Sequence, residues 1–337
     1  MNKKYKLDTS DIITVNGQTL YRIIALVNIG TNVSIGDKGG YIESEKNLSH
    51  SGDAWVFENA KVYEDAKVYE NAKVYWHAKV YGSANVYGSA KVSGSAEIYE
   101  NAKVLENAII YGNSTVHGDS CVFGNAEVYD HANIFGNAKV FGRSLVFENA
   151  SIYMNAEVYE KARILGTSRV HGNSKVFGNT YMFENSMVCG NAKVYENAWV
   201  FGNAKIFGNA NVYGNARVYG SANIFGNAEI SNVNDYFCAQ SFGSIGRTTT
   251  LFRVKDGWCV RCGCFIGTVK EFRDKVKQTH GDTLTAQEYL LIADLMDLRI
   301  KKLEVEKYYE KDPSTSPKNI KQPYDMVDKS TRFKIST

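Results

Sequence analysis

The chain has 337 residues, of which 44% are hydrophobic and 22% charged, a folded composition with length for two domains. A formal net charge of +3 gives no reason by itself to expect a polyanionic partner. No apolar run reaches the roughly 18 residues of a membrane-spanning helix, and six unevenly placed cysteines do not resemble a disulfide framework.

The opening segment, "MNKKYKLDTSDIITVNG", carries basic residues but no apolar stretch of the kind that precedes secretion. With the cysteine usage, this predicts a reducing, cytoplasmic setting. Residues 1–46 read as an N-terminal β cap. "YKLDTSDIITVNGQTLYRIIAL" gives two strands around Asn16-Gly17, a dipeptide that favours tight hairpin turns. "GDKGGYIESEKNLS" then leads into the next region.

From residue 47 to 234 one six-residue phrase repeats without insertion. A small residue returns at every sixth position, from Ala54 and Ala60 to Ala222 and Ala228, with Ser114, Ser120, Ser144, Ser168, Ser174, Thr180 and Ser186 substituting for alanine. Two residues later comes an aliphatic one, such as Val56, Val62 or Ile224, with Met182 as the lone thioether. An aromatic follows, then Gly or Glu, then Asn, Ser or His. Strand residues two apart share a side, so the small and aliphatic residues form the core, and the residue between them and the aromatic face outward. Gly and Asn tolerate the conformations a corner requires. A period of six fits neither the 3.6 of a helix nor the longer alternation of a hairpin array. It predicts a solenoid of short parallel strands, with three steps closing a triangular coil of about 18 residues. About ten coils at roughly 4.8 Å give a column about 48 Å long. The scarcity of proline, with three residues in all, suits a chain that must donate a backbone hydrogen bond at nearly every step.

Residues 235–311 break the period and predict a small α+β domain. "TTTLFRV", Asp256-Gly257 and "WCVRCGCF" suggest a hairpin. "TVKEFRDKVKQTH" spaces Val269, Phe272 and Val276 as one helical face and ends at Gly281. "TAQEYLLIADLMDLRIKKLEVEKYYE" predicts a longer amphipathic helix with Thr285 and Glu288 as its capping box. Residues 312–337 show no period and are expected to be a flexible tail. Basic residues exceed acidic ones from residue 236 onward, so any direct nucleic-acid contact is expected there and not on the solenoid.

"VYGNAKV" and "IFGNAEI" resemble the hexapeptide repeat of left-handed parallel β-helices, a group that includes the trimeric hexapeptide acyltransferases and YdcK-like proteins. The resemblance covers about residues 47 to 231 and implies an all-β, left-handed parallel β-helix. It departs in one respect: transferases of this group carry Gly, Ala or an acidic residue after the aliphatic, where this chain has Tyr or Phe. The terminal segments resemble those of phage- and prophage-encoded proteins of unknown role.

Three residue sets are candidates for function. Cys259, Cys262 and Cys264, with His280 or Cys238, offer four soft ligands of the kind zinc takes; read structurally, they are thiols of a hairpin packed on a helix. No other cofactor is expected. His117 and His171 share the aromatic slot of one column three coils apart, and His77 and His131 share a corner slot. A pair roughly 14 Å apart cannot cooperate, and an uninterrupted repeat offers no loop to form a cleft or hold coenzyme A. Tyr63, Tyr81, Tyr99, Phe135, Tyr153, Phe207 and Phe225 form an outward aromatic column. Such a column either stiffens the rod through ring packing or serves as a protein-binding face or oligomer seam, in a dimer or trimer. Together these features predict a non-enzymatic binding protein of phage or prophage. It would inhibit a host defence assembly, a protein or ribonucleoprotein complex such as a CRISPR effector, by occupying its surface. A hexapeptide-class acyltransferase and a virion or scaffold component are the alternatives.

Overall fold

A computed structural model describes residues 3–243 and 245–311, the last five by backbone alone. The expected flexible tail, 312–337, lies outside the described residues.

Asn16 and Gly17 both take positive φ, 51° and 82°, and join β1 (Tyr5–Val15) to β2 (Gln18–Ala25) as the dipeptide predicts. β3 (Lys38–Ile42) pairs antiparallel with β2 on one side and parallel with Lys61–Val62 on the other. The hairpin thereby continues one face of the solenoid.

The repeat forms two-residue strands, from Trp55–Val56 to Glu229–Ile230. Each pairs with the third strand along the chain, as Lys91 and Val92 pair with Ile109 and Ile110. Three parallel sheets result. The first face runs from Trp55–Val56 to Arg217–Val218, and the third from Lys67–Val68 to Glu229–Ile230, with ten strands each. The second runs from Lys61–Val62 to Asn223–Ile224 and carries the hairpin, thirteen strands in all, so β3 adds an eleventh parallel rung.

Side-chain parity builds the interior. The alanine and aliphatic columns are fully buried from Ala54 to Ile230. Where serine replaces alanine its hydroxyl finds a local acceptor: Ser114, Ser144 and Ser174 donate to the carbonyls of Tyr111, Phe141 and His171 at 2.8–2.9 Å. This repairs the cost of a buried hydroxyl. Thr180 has no such partner.

The corners explain why Glu alternates with Gly. Both adopt positive φ, 59° at Glu64 and 68° at Gly82. A left-handed glutamate is unfavourable by itself. Here its carboxylate accepts the corner amide one coil on: Glu64 from Gly82 (2.7 Å), Glu100 from Gly118 (2.7 Å) and Glu196 from Gly214 (2.8 Å). Beside this slot the asparagines form an amide ladder, unbroken from Asn137 through Asn155, Asn173, Asn191 and Asn209 to Asn227 at 3.0–3.3 Å.

After Ile230 the chain folds into a four-stranded antiparallel sheet, β4 (Tyr236–Phe242), β5 (Arg247–Val254), β6 (Gly257–Cys262) and β7 (Phe265–Gly267), followed by α1 (Val269–His280) and α2 (Leu284–Lys311). Val269, Phe272 and Val276 are buried as their spacing predicts. α2 starts earlier than its sequence suggests. The Thr283 hydroxyl accepts from the Ala286 amide, so Thr285 and Glu288 lie inside the helix. Glu288 instead accepts from the Gly243 amide, tying α2 to the strands. Phe252 and Tyr236 join the solenoid core, so the sheet covers the last coil.

Candidate protein-binding face

Ring stacking is the dominant outward feature of all three faces. An aromatic in strand register lies one coil spacing from its counterpart, about 4.8 Å, within the range of centroid separations that offset stacked rings adopt. On the second face Tyr63, Tyr81, Tyr99, His117, Phe135, Tyr153 and His171 form one stack, with centroids 4.6–5.2 Å apart and planes within 8°. Cys189 interrupts it before Phe207 and Phe225, 5.4 Å apart. The seven aromatic candidates therefore do share one column, but its ends are covered. Tyr63 is buried with Leu20 and Tyr41 of the N-terminal hairpin. The Arg261 guanidinium lies 4.6 Å from the Phe207 ring and 4.9 Å from that of Phe225. Tyr81, Tyr99, Phe135 and Tyr153 remain half-buried between these lids.

His117 and His171 are members of this stack. Burial, then the Arg169 cation, lower the pKa of His171. His117 Nδ1 lies 3.5 Å from a Glu100 carboxylate oxygen. At the corners, His131 Nε2 is 3.3 Å from the Asn113 amide one coil before it, on a different corner from the Asn137–Asn227 ladder.

The thiols are not arranged as a ligand set. Residues three apart on a strand point to opposite sides. Cys259 packs against the solenoid core, whereas Cys262 faces the helices. Cys264 is exposed in the Gly263-Cys264 turn between β6 and β7, not on a strand with Cys262. Cys262, Cys264 and His280 line a cleft of about 190 Å³ with Arg247, Lys275 and Tyr289. Cys238 contacts Thr250 and Gln240 instead. Among the described residues no three His, Cys, Asp or Glu side chains come together as metal ligands. The opposed directions of Cys259 and Cys262 do not fit tetrahedral coordination.

The first face carries what the hexad hides. The slot between the small and aliphatic residues normally holds Lys, Glu or Asn. Along this face, read once per coil from the fourth coil on, it holds Ile109, Glu127, Leu145, Arg163, Tyr181, Trp199 and Arg217. Four of them form a ladder. The Arg163 guanidinium sits 5.1 Å from the Tyr181 ring and donates to its hydroxyl at 2.8 Å. Tyr181 and Trp199 are 5.1 Å apart, and Arg217 lies 5.1 Å over Trp199. Phe183 and Phe201 stack beside them at 4.8 Å, with Phe183 edge-on to Trp199. The two arginines are exposed and the rings half-exposed. The other faces put different residues in this slot, Lys103, Lys139, Lys175 and Lys193 on the third, for example.

A search of protein-family models and of curated proteins finds no match to this chain. No helix of the described residues is long and apolar enough to cross a membrane.

Proposed function

We propose that this protein acts by contact: the first face of the solenoid docks a protein partner, with the Arg163–Tyr181–Trp199–Arg217 ladder at the centre of the footprint. The ladder carries the reading. Trp, Tyr and Arg dominate the binding energy of protein interfaces: Trp and Tyr cover a large area with two side-chain torsions and carry a polar group, and Arg adds a planar guanidinium that stacks on rings and donates several hydrogen bonds. Here the stacked neighbours already fix their rotamers, so little side-chain entropy remains to be lost on docking. The flanking Phe183, Phe201 and Leu145 supply apolar area to exclude water around them. Rigid β-solenoids suit this role because a partner meets the same surface in the free and bound states.

The partner class we propose is an intracellular bacterial protein or ribonucleoprotein assembly, in particular a defence complex of a phage host, which the protein would inhibit by covering its surface. Affinity purification from bacteria expressing the tagged chain, followed by binding measurements with the recovered partner, tests both parts. Tyr181→Ala with Trp199→Ala is expected to weaken binding at least tenfold, while Tyr153→Ala on the second face leaves it unchanged. Equal binding by the Tyr181/Trp199 variant would move the site elsewhere. Phage plating unaffected by expression would remove the defence target.

A further inference from the structure

α2 has two apolar stripes on opposite sides. One, with Ala286, Tyr289, Ile292, Ala293 and Met296, is buried against α1 and the sheet. The other, with Leu284, Leu291, Leu295, Leu298 and Val305, is 48–80% exposed. A solvent-facing side of a helix is expected to be polar, so five aliphatic residues there call for a cover.

Their spacing specifies it. Leu284, Leu291, Leu298 and Val305 recur at every seventh position, and Leu295 falls four after Leu291 and three before Leu298. This is the a/d seam of a coiled coil, with Glu288, Leu295 and Lys302 at the a positions and about three heptads of length. We propose that a second copy of this chain covers the stripe, and that the two α2 helices pack antiparallel about a two-fold axis.

Charge selects both the partner and the direction. A parallel pair would set Glu288 against Glu288 and Lys302 against Lys302 inside the seam, two like-charge contacts in an apolar layer. The antiparallel pair places Leu295 opposite Leu298 of the second copy, Leu291 against the aliphatic stem of Lys302, and Glu288 beside Val305. No like charges then meet. The same register brings Asp294 opposite Lys301 of the second copy, once on either side of the two-fold axis along one flank. Asp294 is bound to Arg273 on its inner side (2.7 Å), but its side chain is still 64% exposed and free to accept a second cation. This contact is isologous, as a two-fold dimer requires, and it lies on the C-terminal unit, not on the first face of the solenoid.

Sedimentation of the full chain tests the proposal directly. The wild type is expected at twice its 37.6 kDa mass at micromolar concentration. Leu291→Lys with Leu298→Lys replaces exposed residues only, and is expected to give a monomer with unchanged circular dichroism and melting temperature. Asp294→Lys or Lys301→Asp alone is expected to weaken the dimer about tenfold, and the double exchange to restore it. In a parallel pair Asp294 would instead face Arg299, and Lys301 would face Glu306, so the double exchange would not rescue. Four results would overturn the proposal: a monomer at every concentration, a dimer insensitive to the leucine substitutions, a failed double rescue, or a monomer that dimerises only after residues 312–337 are removed. The last would mean that the chain's own tail covers the stripe.

Discussion

The first coil of the solenoid offers backbone carbonyls to whatever lies beneath it, and the last coil offers backbone amides. The difference follows from one feature of the ladder: each amide points toward the following coil, as Lys61 does to Ala78, Lys79 to Ala96 and Lys205 to Ala222. The end groups therefore carry opposite partial charge, as the termini of an α-helix do. The N-terminal cap answers with donors. Lys4 Nζ binds the Gly52 and Ala54 carbonyls (3.2 and 2.8 Å), Asn47 Nδ2 binds those of Glu64 and Ala66 (both 2.9 Å), Tyr5 donates to Leu48 (2.7 Å) and Arg22 to Glu58 (2.9 Å). The C-terminal cap answers with acceptors. The Asp235 carboxylate takes the Ser231 and Asn232 amides (2.8 and 3.1 Å), the Tyr236 hydroxyl takes the Tyr219 amide and the Thr250 hydroxyl the Asn223 amide (both 3.2 Å). A buried cation thus sits at the carbonyl end and a buried carboxylate at the amide end. Within the stack the adjacent coil does this work, so only the ends need residues outside the repeat.

Removing the acceptor at the amide end should have the largest effect. Asp235→Ala strands two amides and the Arg253 guanidinium, which binds Asp235 at 2.7 Å. It is expected to cost about 3 kcal/mol. Hydrogen exchange should quicken first in the last coil, around Tyr213 and Tyr219, and leave the first coils protected. Uniform loss of protection from end to end would mean that the coils unfold as one unit and the caps are not local devices. Lys4→Met strands two carbonyls at the other end, with an expected cost of about 1–3 kcal/mol and faster exchange in the first coils only.

Middle and end can also be compared at a single glycine. A Cβ at Gly178 (φ 79°) would lie 2.6 Å from the Glu196 amide nitrogen and carbonyl oxygen of the next coil, whereas at Gly226 (φ 66°), in the last coil, it would meet nothing within 4 Å. Both substitutions suffer the left-handed backbone, about 1–2 kcal/mol. Only Gly178→Ala adds the collision, so its melting temperature should fall further than that of Gly226→Ala. Equal shifts would show that the coils separate freely enough to admit a methyl group.

Most of the solenoid was legible because its contacts are set by register. Parity alone assigns Ala138, Val140 and their equivalents to the core, and the three-step coil alone stacks Phe135 on Tyr153. The hairpin at Asn16-Gly17 and the α1 face of Val269, Phe272 and Val276 were legible for the same local reason. The Arg163–Tyr181–Trp199–Arg217 ladder was not, because a period of six averages over three faces. Tyr181 and Trp199 read as departures from a Lys/Glu/Asn slot until that slot is followed from coil to coil on one face, when they fall in one column with Arg163 and Arg217. The capping hydrogen bonds escaped for a different reason. Lys4, Asn47 and Asp235 each bind groups presented by a neighbouring coil or turn, and no spacing announces such a partner. The placement of the thiols follows strand parity, which sends Cys259 and Cys262 to opposite sides, a distinction that the Cys-x2-Cys spacing alone does not make.

A change of pH also separates the two ends. Burial holds the Lys4 ammonium at a pKa of about 8, against an ordinary value near 10.5, with the nearby Asp53 opposing the shift. Below about pH 8 both folded and unfolded chains carry the proton and the full cost of burying the cation is present. Between about 8 and 10.5 the unfolded chain binds the proton more strongly, so stability rises with pH across that window. Tyr63, beneath the same hairpin, acts in the other direction. Burial, reinforced by Glu64 and Glu97, pushes its pKa up to about 12, so above about pH 10 the unfolded chain loses its proton first and stability falls. The N-terminal cap should therefore be most stable near pH 9 to 10, read by exchange or by tryptophan fluorescence of the buried Trp55. Lys4→Met should abolish the rise and keep the fall, and Asp235→Ala should keep both. A Lys4→Met variant that still gains stability from about pH 8 to 9.5 would show that the buried amine is not the group that titrates, and the donor-to-carbonyl account of this end would lose its electrostatic part.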